Sequence, residues 1–185
     1  IVAAARILRQ ARFIVMCARG TSDHAAIYAR YLFEYYLRKP VALAAPSLVT
    51  LYRRPADLTG GAVVALSQSG AGTDIVEYVR QARKHGAFTI GITNEPGSPL
   101  AREAQCCVVT RCGKEKSVAA TKTYSAQLYT LLGMALAAAG EEARWKAYLR
   151  LPSQLHALLR REDEVRELAA HFRFMDNCVT LSRGF

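Results

Sequence analysis

The chain has 185 residues, 51% of them hydrophobic, enough for one full domain and the beginning of another. Its longest apolar stretches, Ala62 to Leu66 and Leu131 to Ala139, are too short to span a bilayer, and no signal peptide precedes them. The formal charge of +10, carried by 19 Arg and 6 Lys, suits an anionic partner, either nucleic acid or a phosphorylated metabolite. No basic arm, helix-turn-helix spacing or aromatic-rich RNA motif accompanies it, and the charge spreads over helix faces, so a solvated Arg-rich surface is the plainer reading.

Ile1 to Arg6 reads as an amphipathic helix, and the missing initiator Met places the expected N-terminus upstream. Phe13 to Cys17 is apolar throughout and five residues long, as in a strand buried on both faces. A helix is expected from Ser22 to Leu37, ended by Arg38-Lys39-Pro40, then a second strand over Val41 to Ala44. Ser47 to Tyr52 suits one or two helical turns. Ala62 to Leu66 is a third strand, and Asp74 to His85 a helix stopped by Gly86. Phe88 to Ile92 and Cys106 to Val109 complete five strands, and a long helix runs from Ala119 to Ala139 up to Gly140. Strands alternating with helices at this spacing predict an α/β, doubly wound parallel sheet. Such sheets bind ligands beyond the carboxyl ends of their strands, which selects the loops after Cys17, Leu66, Ile92 and Val109.

Residues 1–140 form the expected first domain and residues 141–175 a charged helical bridge, with Pro152 starting a new segment. Residues 176–185 echo the first strand: Val179, Ser182, Arg183 and Gly184 fall on Val15, Ala18, Arg19 and Gly20. The expectation is that a second α/β domain opens there. The five cysteines are odd in number and four lie in or beside apolar runs, so they read as reduced core residues of a cytoplasmic protein. A zinc site is the sharper alternative, but Cys106 and Cys107 are adjacent and point to opposite faces of a strand. No metal and no cofactor is expected.

Ser67-Gln68-Ser69-Gly70-Ala71-Gly72-Thr73-Asp74 is the strongest local signal. Its glycines let backbone N–H groups curl inward, the next helix contributes its positive end, and Ser67, Ser69 and Thr73 add hydroxyl donors. A phosphate monoester needs such short neutral donors. The alternative is that Thr73 or Ser69 caps the helix. Neither a nucleotide P-loop nor a dinucleotide fingerprint is present. Arg19-Gly20-Thr21-Ser22-Asp23-His24 repeats the strand-to-helix theme, with Ser22 or Asp23 as an N-cap and Gly20 open to a ligand. His24 reads either as a base or as a structural first-turn residue. Before the long helix, Ala119-Ala120 permits close approach, and Lys122 reads either as an anion contact or as a solvated side chain.

Arg19-Gly20-Thr21-Ser22-Asp23-His24-Ala25, Ser67-Gln68-Ser69-Gly70 and Val118-Ala119-Ala120-Thr121-Lys122 together resemble the SIS (sugar isomerase) domain family. They look close to the isomerase half of glutamine–fructose-6-phosphate aminotransferase and to relatives that deaminate or isomerise amino-sugar phosphates. The resemblance covers about Ala11 to Ala139. It implies a flavodoxin-like five-stranded sheet, a sugar-phosphate ligand and a homodimer, with the apolar helix Tyr124 to Ala139 as either dimer surface or core. It also implies that Ser22, Ser67, Gln68 and Ser69 hold the phosphate, while Thr21, the backbone near Gly20, Val118 and Ala120 contact the sugar. Arg19, Thr73 and Lys122 join the binding set as pocket candidates.

The chain departs from the synthase pattern. Arg19 stands where the synthase has Cys, Ala120 where it has Ser, and Gly70-Ala71-Gly72 where it reads Gly-Glu-Thr, which removes one hydroxyl unless Thr73 replaces it. No N-terminal cysteine nucleophile for glutamine hydrolysis is present. Aldose–ketose isomerisation needs a base near both carbons, which the resemblance places in a second SIS domain and a neighbouring subunit. No catalytic residue is therefore assigned, and this chain is expected to bind without turning over. The competing reading is a sugar-phosphate-sensing domain of a transcriptional regulator.

Overall fold

The computed structural model describes residues 1–117, 120–179 and 181. The described residues divide into two compact units, Ile1–Glu141 and those from Glu142 onward. In the first, the apolar runs become strands β1 (Ile14–Cys17), β3 (Ala62–Leu66), β4 (Phe88–Thr93) and β5 (Cys106–Val109), with the short β2 (Val41–Leu43) at one edge. All pair in parallel, in the order β2-β1-β3-β4-β5. This is the doubly wound, flavodoxin-like order, whose switch point lies between β1 and β3.

Period-two alternation explains why the strands need apolar residues on both sides. Ile14, Met16, Val64, Leu66 and Ile92 face one layer with Leu8, Phe33, Leu131 and Met134. Val15, Cys17, Val63 and Ala65 face the other with Ile75, Val79 and Leu100. The first layer is built by α1 (Val2–Gln10), α2 (Thr21–Leu37) and α6 (Lys122–Ala139). The second uses α3 (Pro46–Thr50), α4 (Thr73–Lys84) and α5 (Pro99–Glu103). Because α6 packs against α1 and α2, the core takes up the apolar face that the sequence also offered as a dimer surface.

Several boundaries move for local reasons. Helix α2 begins at Thr21 because Gly20, at φ +57°, turns the chain into the helix; neither Ser22 nor Asp23 caps it. Helix α4 begins at Thr73 behind Gly72, so Thr73 and Ser69 are not its caps. Helix α6 starts at Lys122, leaving Ala120 in the preceding loop; Ala119 lies outside the described residues. Helix α5 has no counterpart in the sequence reading: five residues are too few for periodicity, although Ser98 accepts from the Ala101 N–H and Pro99 occupies the first turn. Among the cysteines only Cys17 is buried; Cys106 and Cys107 are half-buried because β5 is an edge strand, Cys112 in the loop after it is half-buried too, and Cys178 is exposed.

The second unit holds α7 (Glu142–Leu159) and α8 (Glu162–Ala170). Pro152 sits inside α7 instead of starting a new segment. Its missing N–H removes one backbone bond, and the Ala, Leu, Lys, Arg and Gln residues around it are strong helix formers. Residues 177–179 and 181 are in no strand, and the Ser182-Arg183-Gly184 echo lies outside the described residues. No helix among the described residues is long and apolar enough to cross a membrane.

Candidate functional site

Pairing of β1 with β3 sets the loops that follow them side by side. A cavity of about 220 Å³ opens between them. Arg19, Thr21 and Ser22 line it from the first loop, and Ser67, Gln68, Ser69 and Gly72 from the second. Ala120 closes one side from the loop before α6, and Asp74 another from the first turn of α4.

The second loop is braced from beneath. The Gln68 carbonyl accepts from the Asn94 N–H at 3.0 Å and the Thr93 hydroxyl at 3.1 Å; the Gly70 carbonyl accepts from the Leu100 N–H at 2.9 Å. Gly70 is buried at φ +61°, which tips the turn over Thr93 and Ser98. The Ser67 hydroxyl oxygen accepts from the Gly70 N–H at 3.1 Å, and that of Ser69 from the Ala71 N–H at 3.3 Å. A hydroxyl that accepts a bond keeps its own hydrogen to donate, so both serines are oriented and still present donors. Ser22 is arranged differently. Its oxygen accepts from the Gln127 Nε2 at 3.0 Å, a buried bond between side chains 105 residues apart. Gln127, only 1% exposed in the middle of α6, is thus a positioning residue that the sequence reading missed; the available signal was the one amide side chain of a mostly apolar helix.

Glu115 was likewise passed over. Its carboxylate accepts from the backbone N–H groups of Lys116 (3.1 Å), Ser117 (3.3 Å), Thr121 (3.0 Å) and Thr123 (3.1 Å). Helix α6 has no side-chain cap of its own, so Glu115 satisfies its first turn from six and eight residues upstream and closes the loop that carries Ala120. The Thr123 N–H above all, with those of Ser117 and Thr121, holds the Glu115 carboxyl down at about 2. A depressed carboxyl favours the folded loop at pH values above its unfolded range, near 4.5, and that contribution fades as pH falls from there towards about 2. In a Glu115→Gln variant at pH 7, the Thr121 and Thr123 amides are expected to exchange with solvent faster than in the wild type, measured by NMR. Unchanged exchange would remove Glu115 from this role.

The other sequence candidates are placed less centrally. Thr73 lines a neighbouring cleft of about 550 Å³ together with Arg53, Glu77 and Arg80. That cleft is larger, but Arg80 is spent on Glu77 at 2.6 Å and Glu103 at 3.1 Å, and of its two hydroxyls, Thr50 and Thr73, that of Thr50 donates to the Pro46 carbonyl at 3.2 Å. Lys122 is exposed and does not line the smaller cavity, and His24 is exposed on α2. Gly20 shapes the first loop through its backbone. Val118 lies outside the described residues. Cys17, at the end of β1, is fully buried; desolvation, and then the Asp74 charge, push its thiol well up, so it stays protonated and behaves as a core side chain.

Comparison with known proteins places the fold. The SIS domain family model matches residues 7–139. Isomerizing glutamine–fructose-6-phosphate aminotransferase of Chlorobaculum tepidum is 34% identical over 186 residues, covering 96% of this chain and 30% of that protein. The chain spans about three tenths of the length of such curated relatives. Among solved structures, the C-terminal domain of glucosamine-fructose-6-phosphate aminotransferase from Francisella tularensis superposes with a TM-score of 0.86 at 26% identity, over 98% of this chain and 54% of that one. A provisionally named phosphosugar isomerase from Silicibacter pomeroyi DSS-3 gives a TM-score of 0.81 at 36% identity, over 86% of this chain and 49% of that one. With the matched residues running from α1 to the end of α6, across every strand of the sheet, the chain belongs to the SIS domain family.

Proposed function

We propose that this chain holds the phosphate of a hexose 6-phosphate, of the fructose-6-phosphate or glucosamine-6-phosphate class, as the phosphosugar-binding domain of an amino-sugar or ketose phosphate isomerase or deaminase. The observation that carries this reading is the convergence of Thr21, Ser22, Ser67 and Ser69 on one small cavity at the β1/β3 switch point. Short hydroxyl donors beside the start of α4 match the oxygens of a phosphate monoester. The names of the three similar proteins given above concern phosphosugars and support the same ligand class.

Binding, and not turnover, is the role assigned to the described residues. Moving a proton between C1 and C2 of the sugar takes a base near both carbons. The one carboxylate among the residues lining the cavity is Asp74, and it is paired with Arg19. Ser69→Ala should weaken fructose 6-phosphate binding by at least about 1 kcal/mol, roughly fivefold in Kd by calorimetry, the scale of one hydrogen bond. An affinity within about twofold of wild type would remove the loop from the site. Formation of fructose 6-phosphate from glucosamine 6-phosphate by this chain alone would overturn the restriction to binding.

A further inference from the structure

Among the residues lining the cavity, the hydroxyls are neutral and the two charges cancel: Arg19 is the one cation and Asp74 the one anion. A phosphate dianion entering this space therefore meets a carboxylate as well as donors. The two side chains rest on each other, Arg19 Nη1 lying 3.5 Å from Asp74 Oδ2. This is a loose, single-point contact, without the paired bonds that guanidinium and carboxylate make when they are held together. The Arg19 side chain is 67% exposed, so the pair is weak in water and the guanidinium moves at little cost. Gly72 puts no side chain beside Asp74; a Cβ there would lie 3.4 Å from Asp74 Oδ1.

From this arrangement we infer that Arg19 is a phosphate-binding and specificity-determining residue, whose guanidinium exchanges its Asp74 contact for the ligand phosphate on binding. The inference rests on the phosphosugar reading above. Asp74 is then a competitor for the guanidinium and not a ligand contact. The transfer replaces a single carboxylate contact with charge-assisted bonds to a dianion, for which the planar guanidinium fork is suited. It also makes affinity depend on ligand charge, so a neutral sugar gains nothing from Arg19.

The test is calorimetric titration of the full chain with fructose 6-phosphate, inorganic phosphate and fructose, at two salt concentrations. Arg19→Ala should weaken both phosphate-bearing probes by roughly tenfold to a hundredfold, the range for hydrogen bonds to charged groups, and flatten the salt dependence. Arg19→Lys should fall between, because a point charge replaces the fork. Asp74→Asn should tighten both probes by removing the competitor. Arg19→Ala within twofold of wild type, or Asp74→Asn weaker than wild type, would overturn the inference. Loss of affinity in Ser69→Ala with Arg19→Ala unchanged would sink this inference and leave the phosphosugar reading standing. Arg19-dependent binding of inorganic phosphate without any preference for fructose 6-phosphate would do the reverse.

Discussion

Gly70→Ala is expected to lower the stability of the first unit by about 2–4 kcal/mol and to abolish phosphosugar binding, the sum of a left-handed backbone forced on alanine and an overpacked contact. At φ +61° an added Cβ would fall on the Ser98 hydroxyl, 2.5 Å from Ser98 Cβ and 2.8 Å from Thr93 Oγ1. Neither neighbour can retreat easily. Ser98 is 5% exposed and caps α5, and Thr93 is 1% exposed and donates to the Gln68 carbonyl. The strain is relieved only by lifting the 67–70 turn, which also displaces the Ser67 and Ser69 hydroxyls. Chemical denaturation gives the stability change and calorimetry the affinity. A variant that binds normally would show that the turn is not the phosphate cradle.

Gln127→Leu is expected to cost about 1–3 kcal/mol of stability, although leucine matches the apolar surroundings, because it strips the Ser22 hydroxyl of its buried donor. Ser22 sits on the cavity wall, so its hydroxyl also loses its fixed direction and affinity for fructose 6-phosphate falls. The double variant Ser22→Ala/Gln127→Leu removes both partners together. It should recover most of the stability and none of the affinity. That split separates packing from positioning. If the double variant is no more stable than Gln127→Leu, the Ser22–Gln127 bond is not what the single variant breaks.

Both predictions turn on contacts that differ in how far they could be read in advance. The α/β class, the five strands and the two loops were legible because their signals are local. Ala62 to Leu66 is apolar in an unbroken run bounded by turn residues, and Ser67-Gln68-Ser69-Gly70 follows it directly. The SIS likeness rested on those same short motifs. Helix starts were less legible: Gly20 and Gly72 precede α2 and α4 where a Ser, Thr or Asp cap was expected, because backbone conformation at glycine did the work that capping side chains do elsewhere.

What the sequence by itself determined is therefore the run of strands and helices and the residue types that each loop presents. Periodicity, turn chemistry and the small donors of Ser67, Ser69, Thr21 and Ser22 act over a few neighbouring residues. Only the tertiary structure decided which of these meet. The order β2-β1-β3 joins the first and second loops at one cavity, which neither Thr73 nor Lys122 lines. It sets Gln127 behind Ser22 across 105 residues, and Arg19 against Asp74 across two loops. Such pairings depend on strand order and helix packing, and they leave no periodic trace in either partner's own segment of chain.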